Sequence, residues 1–166
     1  MSMLVVFSKL DNGRLCAWIA TPPKRKPFQG TTMASGRDLP HDLAQFVVEA
    51  TLGLQHGFWN LLANGATFKS VPGRRRTQSG QSLISSHSEA LNAAEHLANH
   101  HVTAWRNGEI TPAGPALDDI YTRWNAISDG EEISLVWPTQ RLPQATKVEA
   151  QTKKRSKQRR QYVGRR

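Results

Sequence analysis

One cysteine, Cys16, in a chain of 166 residues excludes an intramolecular disulfide, and it reads as a small buried residue in a reducing compartment. Long apolar runs are also missing. The run at residues 4–7 is only four residues long before Lys9, which is too short for an export signal or a membrane span. A cytoplasmic protein of bacterial type, without membrane association, is the expectation. No Gly-rich phosphate loop, dinucleotide fingerprint or Gly-x-Ser-x-Gly elbow occurs, so no cofactor is implied, and the serines around His87 give no catalytic pattern. Hydrophobic residues make up 38% of the chain, below the usual globular share.

Acidic residues are almost absent from the C-terminal end, and that absence explains the formal net charge of +9. Residues 1–146 carry 13 Lys and Arg against 12 Asp and Glu, a net of +1. The last twenty residues carry nine cations against Glu149 alone. The high pI is therefore a property of a tail, and a domain of residues 1–140 followed by a disordered basic segment, 141–166, is expected.

Within the domain the apolar pattern changes period. Residues 4–7 and 15–19 are short runs of branched and aromatic residues flanking Asp11-Asn12-Gly13, a turn sequence that tolerates positive φ, so a β-hairpin is expected. Pro22, Pro23 and Pro27 then impose an extended loop, and residues 30–34 read as a third strand. From Leu39 the apolar residues Leu43, Phe46, Val47 and Ala50 recur at helical spacing, with Asp38 as cap, Pro40 in the first turn and Gly53 as terminator. A short helix over residues 58–64 ends at Gly65. Residues 72–85, rich in Ser, Gly and Arg, read as a long loop. Ser86 and Glu89 form a capping box for a helix reaching residue 107, with Leu91, Ala94, Leu97, Ala98, His101, Val102 and Trp105 along one side. A further helix starts at Pro115, and residues 131–137 form a last strand. These elements define an α+β fold, a small antiparallel sheet packed against three or four helices.

The block Leu39-Pro40-His41-Asp42-Leu43-Ala44-Gln45, continuing through Glu49 and Leu52-Gly53-Leu54 to Gly57-Phe58, resembles a group of uncharacterised bacterial proteins that pair an N-terminal hairpin with a helix opening on Leu-Pro-His-Asp. The resemblance covers roughly residues 1–65 and implies a fold, with no established activity attached. The group tends to carry histidine at the position of Gln45, giving His-Asp-x-x-His, which is similar to the His-Glu-x-x-His helix of zinc hydrolases. In that helix two imidazoles one turn apart bind the metal. His41, Gln45 and Glu49 share a face here, but Gln45 is a poor zinc ligand, so a solvated polar face is expected. A degenerate metal-dependent hydrolase is the competing reading. His96 and His100 repeat the one-turn spacing without a third ligand nearby, and His101, on the apolar side, reads as a core histidine with one hydrogen bond.

Basic residues give the remaining signal. They fall in residues 24–26, in Arg74, Arg75 and Arg76, and in the tail at Lys153, Lys154, Arg155, Lys157, Arg159 and Arg160. Loops of this kind reach an anionic polymer, and counterion release then supplies affinity without sequence specificity. Tyr162 is the one aromatic residue of the tail, so base stacking has little to act on there. The preferred expectation is a non-catalytic binding protein contacting nucleic acid or a ribonucleoprotein through tail and loops. A third reading is a protein-interaction module whose cations serve solubility.

Overall fold

The computed structural model describes residues 1–142, and the tail cations Lys153, Lys154, Arg155, Lys157, Arg159 and Arg160 lie outside the described residues. Strands β1 (Ser2–Leu10) and β2 (Leu15–Thr21) form the expected hairpin, in register from Leu4 opposite Thr21 to Leu10 opposite Leu15. Asp11, Asn12 and Gly13 all take positive φ (51°, 54° and 79°), the reversal that the turn sequence anticipates. Residues 28–34 form two short strands where one was expected. β3 (Phe28–Gln29) and β4 (Met33–Ala34) pair separately with β2, and Gly30 lies between them. A Cβ at Gly30 would come within 2.0 Å of the Trp18 ring, so the chain passes over that indole with no room for a side chain. β5 (Glu132–Pro138) returns antiparallel to β1, giving the order β3-β2-β1-β5.

Strand alternation sends Met3, Val5, Phe7, Cys16, Trp18, Ala20, Ile133 and Trp137 to one face, where all are buried. Leu4, Ile19 and Val136 point the other way and stay exposed. Burial holds the Cys16 thiol far above its usual range, at about 12, so it is an inert core group.

The described residues form five helices, α1 (His41–Leu52), α2 (Phe58–Ala63), α3 (Gln78–Ser86), α4 (Ser88–Arg106) and α5 (Gly114–Ala126), of which α1 and α2 meet the buried sheet face through Phe46 and Trp59. Helix α1 packs against α4 and α5, while its Phe46 meets Phe7, Trp59 and Trp137 at ring-centroid distances of 5.9, 5.1 and 5.1 Å. Gly53 closes α1 with φ of 63°, and Gly65 follows α2 with φ of 105°, as left-handed helix ends require.

Several local expectations are corrected. Residues 72–85 are not a continuous loop: Thr77 caps α3 by accepting the Gly80 N–H at 3.0 Å, and Gly80 is buried against Thr67. Ser86 therefore ends one helix and does not cap the next, which opens at Ser88 with His87 at the N-cap. Pro40 occupies the N-cap of α1. Asp38 instead accepts the Leu39 N–H and pairs with the Arg106 guanidinium at 2.9 Å. Leu97, placed by periodicity on the apolar side of its helix, is exposed at the edge of a stripe whose Ala94, Ala98 and Val102 are buried.

Asn60 ties the helical layer to the end of the sheet. Its buried amide donates to the carbonyls of Gln55 and Gln140 and accepts from Trp137 Nε1 and the Gln140 N–H, at 2.7 to 3.2 Å. All four hydrogen-bonding positions of an asparagine amide are thus used. Asn60→Ala leaves the Trp137 indole N–H without this acceptor in a dry site. A loss on the order of 3 kcal/mol is expected, read as a fall of roughly 10 °C in Tm; an unchanged Tm would contradict this assignment.

Candidate functional site

The face of α1 that carries Gln45 and Glu49 is not solvated, because α4 and α2 close over it, while His41 at its start stays exposed. Every side chain from Leu43 to Glu49 is buried, Glu49 completely and Gln45 nearly so. The Glu49 carboxylate accepts Gln45 Nε2 at 2.7 Å on one oxygen and the Trp59 N–H at 3.1 Å on the other. It therefore holds the first turn of α2 against α1. Gly57, the N-cap of α2, is obligatory for this arrangement, since a Cβ there would lie 2.0 Å from Glu49 Oε1. Burial pushes the Glu49 carboxyl from its ordinary 4.5 up to about 7, against the two hydrogen bonds that lower it, with Glu95 and Asp42 adding repulsion.

His41 sits at the exposed first position of α1, and its Nδ1 lies 3.0 Å from Asp42 Oδ1. The hydrogen bond to Asp42 raises its pKa, with a smaller contribution from Asn99. The other Asp42 oxygen accepts Trp18 Nε1 at 2.9 Å. His96 and His100 are exposed on α4, while His101 is half-buried and hydrogen-bonded to the Thr111 hydroxyl. Among the described residues no three His, Cys, Asp or Glu side chains are placed to hold a metal ion. The candidate ligands His41, Glu49, His96 and His100 therefore do not form one site.

The basic segments behave differently, because the fold brings two of them together. Residues 24–26 lie in the β2–β3 connection and residues 69–76 in the α2–α3 connection; the second packs against β3 and the residues that follow it, which brings Arg74 near Arg25. Thr31 Oγ1 donates to the Ser70 carbonyl at 2.8 Å, and Gly73 approaches the Gln29 backbone so closely that a Cβ would lie 2.4 Å from its oxygen. The Arg74 guanidinium lies 4.4 Å from the centroid of the Phe28 ring and donates to the carbonyls of Leu62 (2.8 Å) and Ala66 (3.1 Å). Burial, then the proximity of Arg25, lowers the Arg74 pKa. Arg74 is thus a structural cation, half-buried and committed to the fold. Lys24, Arg25, Lys26, Lys69, Arg75 and Arg76 remain exposed, and none enters an ion pair among the described residues.

Reading each basic run separately overlooked Lys69 and this convergence, though the sequence carries a sign of both. No acidic residue occurs between Asp11 and Asp38 or between Glu49 and Glu89, the two stretches that build this surface. The near-neutral domain is therefore strongly polarised.

The α2–α3 connection also walls a cleft of about 550 Å³ with Ser70 and Val71, together with Thr31 and Met33 from the β3–β4 segment. Trp18, His41, Asp42, Gln45, Phe58 and Glu95 complete it. Apolar walls with a few convergent polar groups are the ordinary composition of a small-ligand site. Among the described residues no helix is long and apolar enough to cross a membrane. The chain matches no family model, no curated protein and no solved structure.

Glu49 has a measurable signature. Its folded pKa is raised, so its contribution to stability is fully present below about pH 4.5 and is lost as pH rises through about 7. The shift corresponds to on the order of 3 kcal/mol between the two limits. Glu49→Gln keeps an acceptor for the Trp59 N–H and removes the titration. The Tm of the variant is expected to fall less than that of the parent chain between pH 6 and 9, whereas parallel Tm profiles would show that Glu49 is not the titrating group.

Proposed function

We propose that this protein binds nucleic acid, free or within a ribonucleoprotein, without catalysing its turnover, through the basic surface of the β2–β3 and α2–α3 connections together with the tail. The observation that carries this reading is the approach of two cation-bearing connections at Arg25 and Arg74, with Lys24, Arg25, Lys26, Lys69, Arg75 and Arg76 exposed and unpaired with any described carboxylate. Exposed cations concentrated without counter-charges repel one another, and a polyanion relieves that repulsion while releasing its own counterions. Acidic residues elsewhere, Asp118, Asp119, Glu131 and Glu132 among them, keep the rest of the domain from attracting phosphate, which confines binding to one surface.

Binding of this kind is electrostatic, tolerant of sequence and sensitive to salt. Each cation that neutralises a duplex phosphate adds about 0.9 to the slope of log affinity against log salt. The triple variant Arg25→Ser, Arg75→Ser, Arg76→Ser is expected to lower that slope by roughly two to three units for duplex DNA or structured RNA. Removing the nine tail cations by ending the chain after Thr146 is expected to lower it by about four if half of them engage. Arg123→Ser, on the outer side of α5, serves as the control and leaves the slope unchanged. Arg74 is excluded from the set because its loss would disturb the carbonyls of Leu62 and Ala66. Absence of binding at low salt, or an unchanged slope in the triple variant, would reject this surface.

A further inference from the structure

The cleft beside the basic surface has a chemistry opposite to that of its rim. Its apolar side includes the half-buried ring of Phe58 and Met33, and the polar groups facing it from α1 and α4 are His41, Gln45, whose amide is held by Glu49, and the carboxylates Asp42 and Glu95. Asp42 is already held by Trp18 Nε1 and His41 Nδ1. Glu95 is half-buried and has no hydrogen bond or ion pair among the described residues. Carboxylates repel phosphate, so the cleft does not extend the backbone-binding surface. It presents an aromatic ring and a free hydrogen-bond acceptor, and one of its walls is the α2–α3 connection that carries Lys69, Arg75 and Arg76.

We propose that this cleft receives one unpaired nucleobase bearing an exocyclic amino group, from a single-stranded segment whose phosphates lie on the adjoining basic surface. The inference rests on the nucleic-acid reading and adds the strand state and the kind of base. A base swung out of its strand offers a flat π-face for Phe58, an interaction open to every base. Its amino edge offers N–H donors to the Glu95 carboxylate, as adenine and cytosine do through N6 and N4. Thymine and uracil present two carbonyl oxygens flanking one imide N–H, and those oxygens would face Glu95 unfavourably. A volume of about 550 Å³ also accommodates a base with its sugar. In duplex DNA the amino edges are paired and the π-faces stacked, so a duplex engages only the rim. Aromatic wall, free acceptor and flanking cations thus match the three parts of a single-stranded nucleotide.

The test compares the full chain with its Glu95→Gln variant on four ligands at one salt concentration, namely dA12, dC12, dT12 and the dA12·dT12 duplex. The parent chain is expected to bind dA12 and dC12 about tenfold more tightly than dT12, the size of one good side-chain-to-base contact, and more tightly than the duplex. In Glu95→Gln the ratio of dC12 to dT12 affinity is expected to fall towards one, whichever way overall affinity moves on removing a negative charge. Its salt slope stays that of the parent, because no phosphate contact is lost. Salt-dependent binding to all four ligands with equal affinity, or a base preference that survives Glu95→Gln, would overturn the cleft assignment and leave the basic surface standing. Absence of binding to every ligand at low salt would overturn both.

Discussion

Helix α1 has no side that faces water along its middle two turns, and the rest of the domain is arranged to make that possible. Its apolar stripe meets the sheet through Phe46, which is ordinary amphipathic packing. Its polar stripe must be satisfied internally, and the Glu49 carboxylate achieves this by joining the Gln45 amide to the Trp59 N–H. The bond to Trp59 sets where α2 begins. That start fixes Phe58 at the cleft and Asn60 beneath the end of β5, so one buried carboxyl group positions both a binding wall and the clasp that closes the sheet. Leaving either oxygen unpaired in this dry setting would cost more than the bond itself contributes.

The distribution of charge carries more information than its total. A domain with a net charge of +1 would ordinarily be judged indifferent to polyanions, yet the stretches 12–37 and 50–88 carry cations and no acidic residue. Arg74 shows how this is stabilised. Lodged between the Phe28 ring and two helix-end carbonyls, it anchors the loop on which its neighbours Arg75 and Arg76 project, so one arginine of three secures the other two. The carboxylates of the cleft then set a boundary between a region that suits phosphate and one that suits a base edge.

Much of the architecture was legible in the chain because local periodicity and turn chemistry agree. The hairpin followed from alternation around Asp11-Asn12-Gly13, and the courses of α1, α4 and α5 from their apolar spacing. Helix α3 was hidden because Gln78–Ser86 is mostly serine, glycine and glutamine. Its stability comes from the Thr77 cap and from Gly80 packing on Thr67, neither of which is periodic. The polar face of α1 was misjudged for a different reason. Periodicity describes a helix against one neighbour, and α1 has neighbours on both sides, so residues that would be solvated in a two-layer fold became the seam of a third layer. The site was partly visible as runs of cations, but a run does not show which member turns inward or which distant run it meets. The cleft depends on contacts across the whole chain, from Trp18 to Glu95, and left no local mark.

The close approach of Gly57 to Glu49 bears on how this sequence can change over time. With a carboxyl oxygen 2.0 Å from where a Cβ would stand, position 57 tolerates no side chain while position 49 keeps its present one. Shortening residue 49 first would free the space but strand the Trp59 N–H; enlarging residue 57 first would drive α2 away from α1. The two positions, eight apart in the chain, are sterically coupled: a shortened side chain at 49 or any side chain at 57 disturbs the contact of α2 with α1. Glycine at 57 beside a side chain of glutamate length at 49 is therefore one steric unit, which sequence change can enter only in one order.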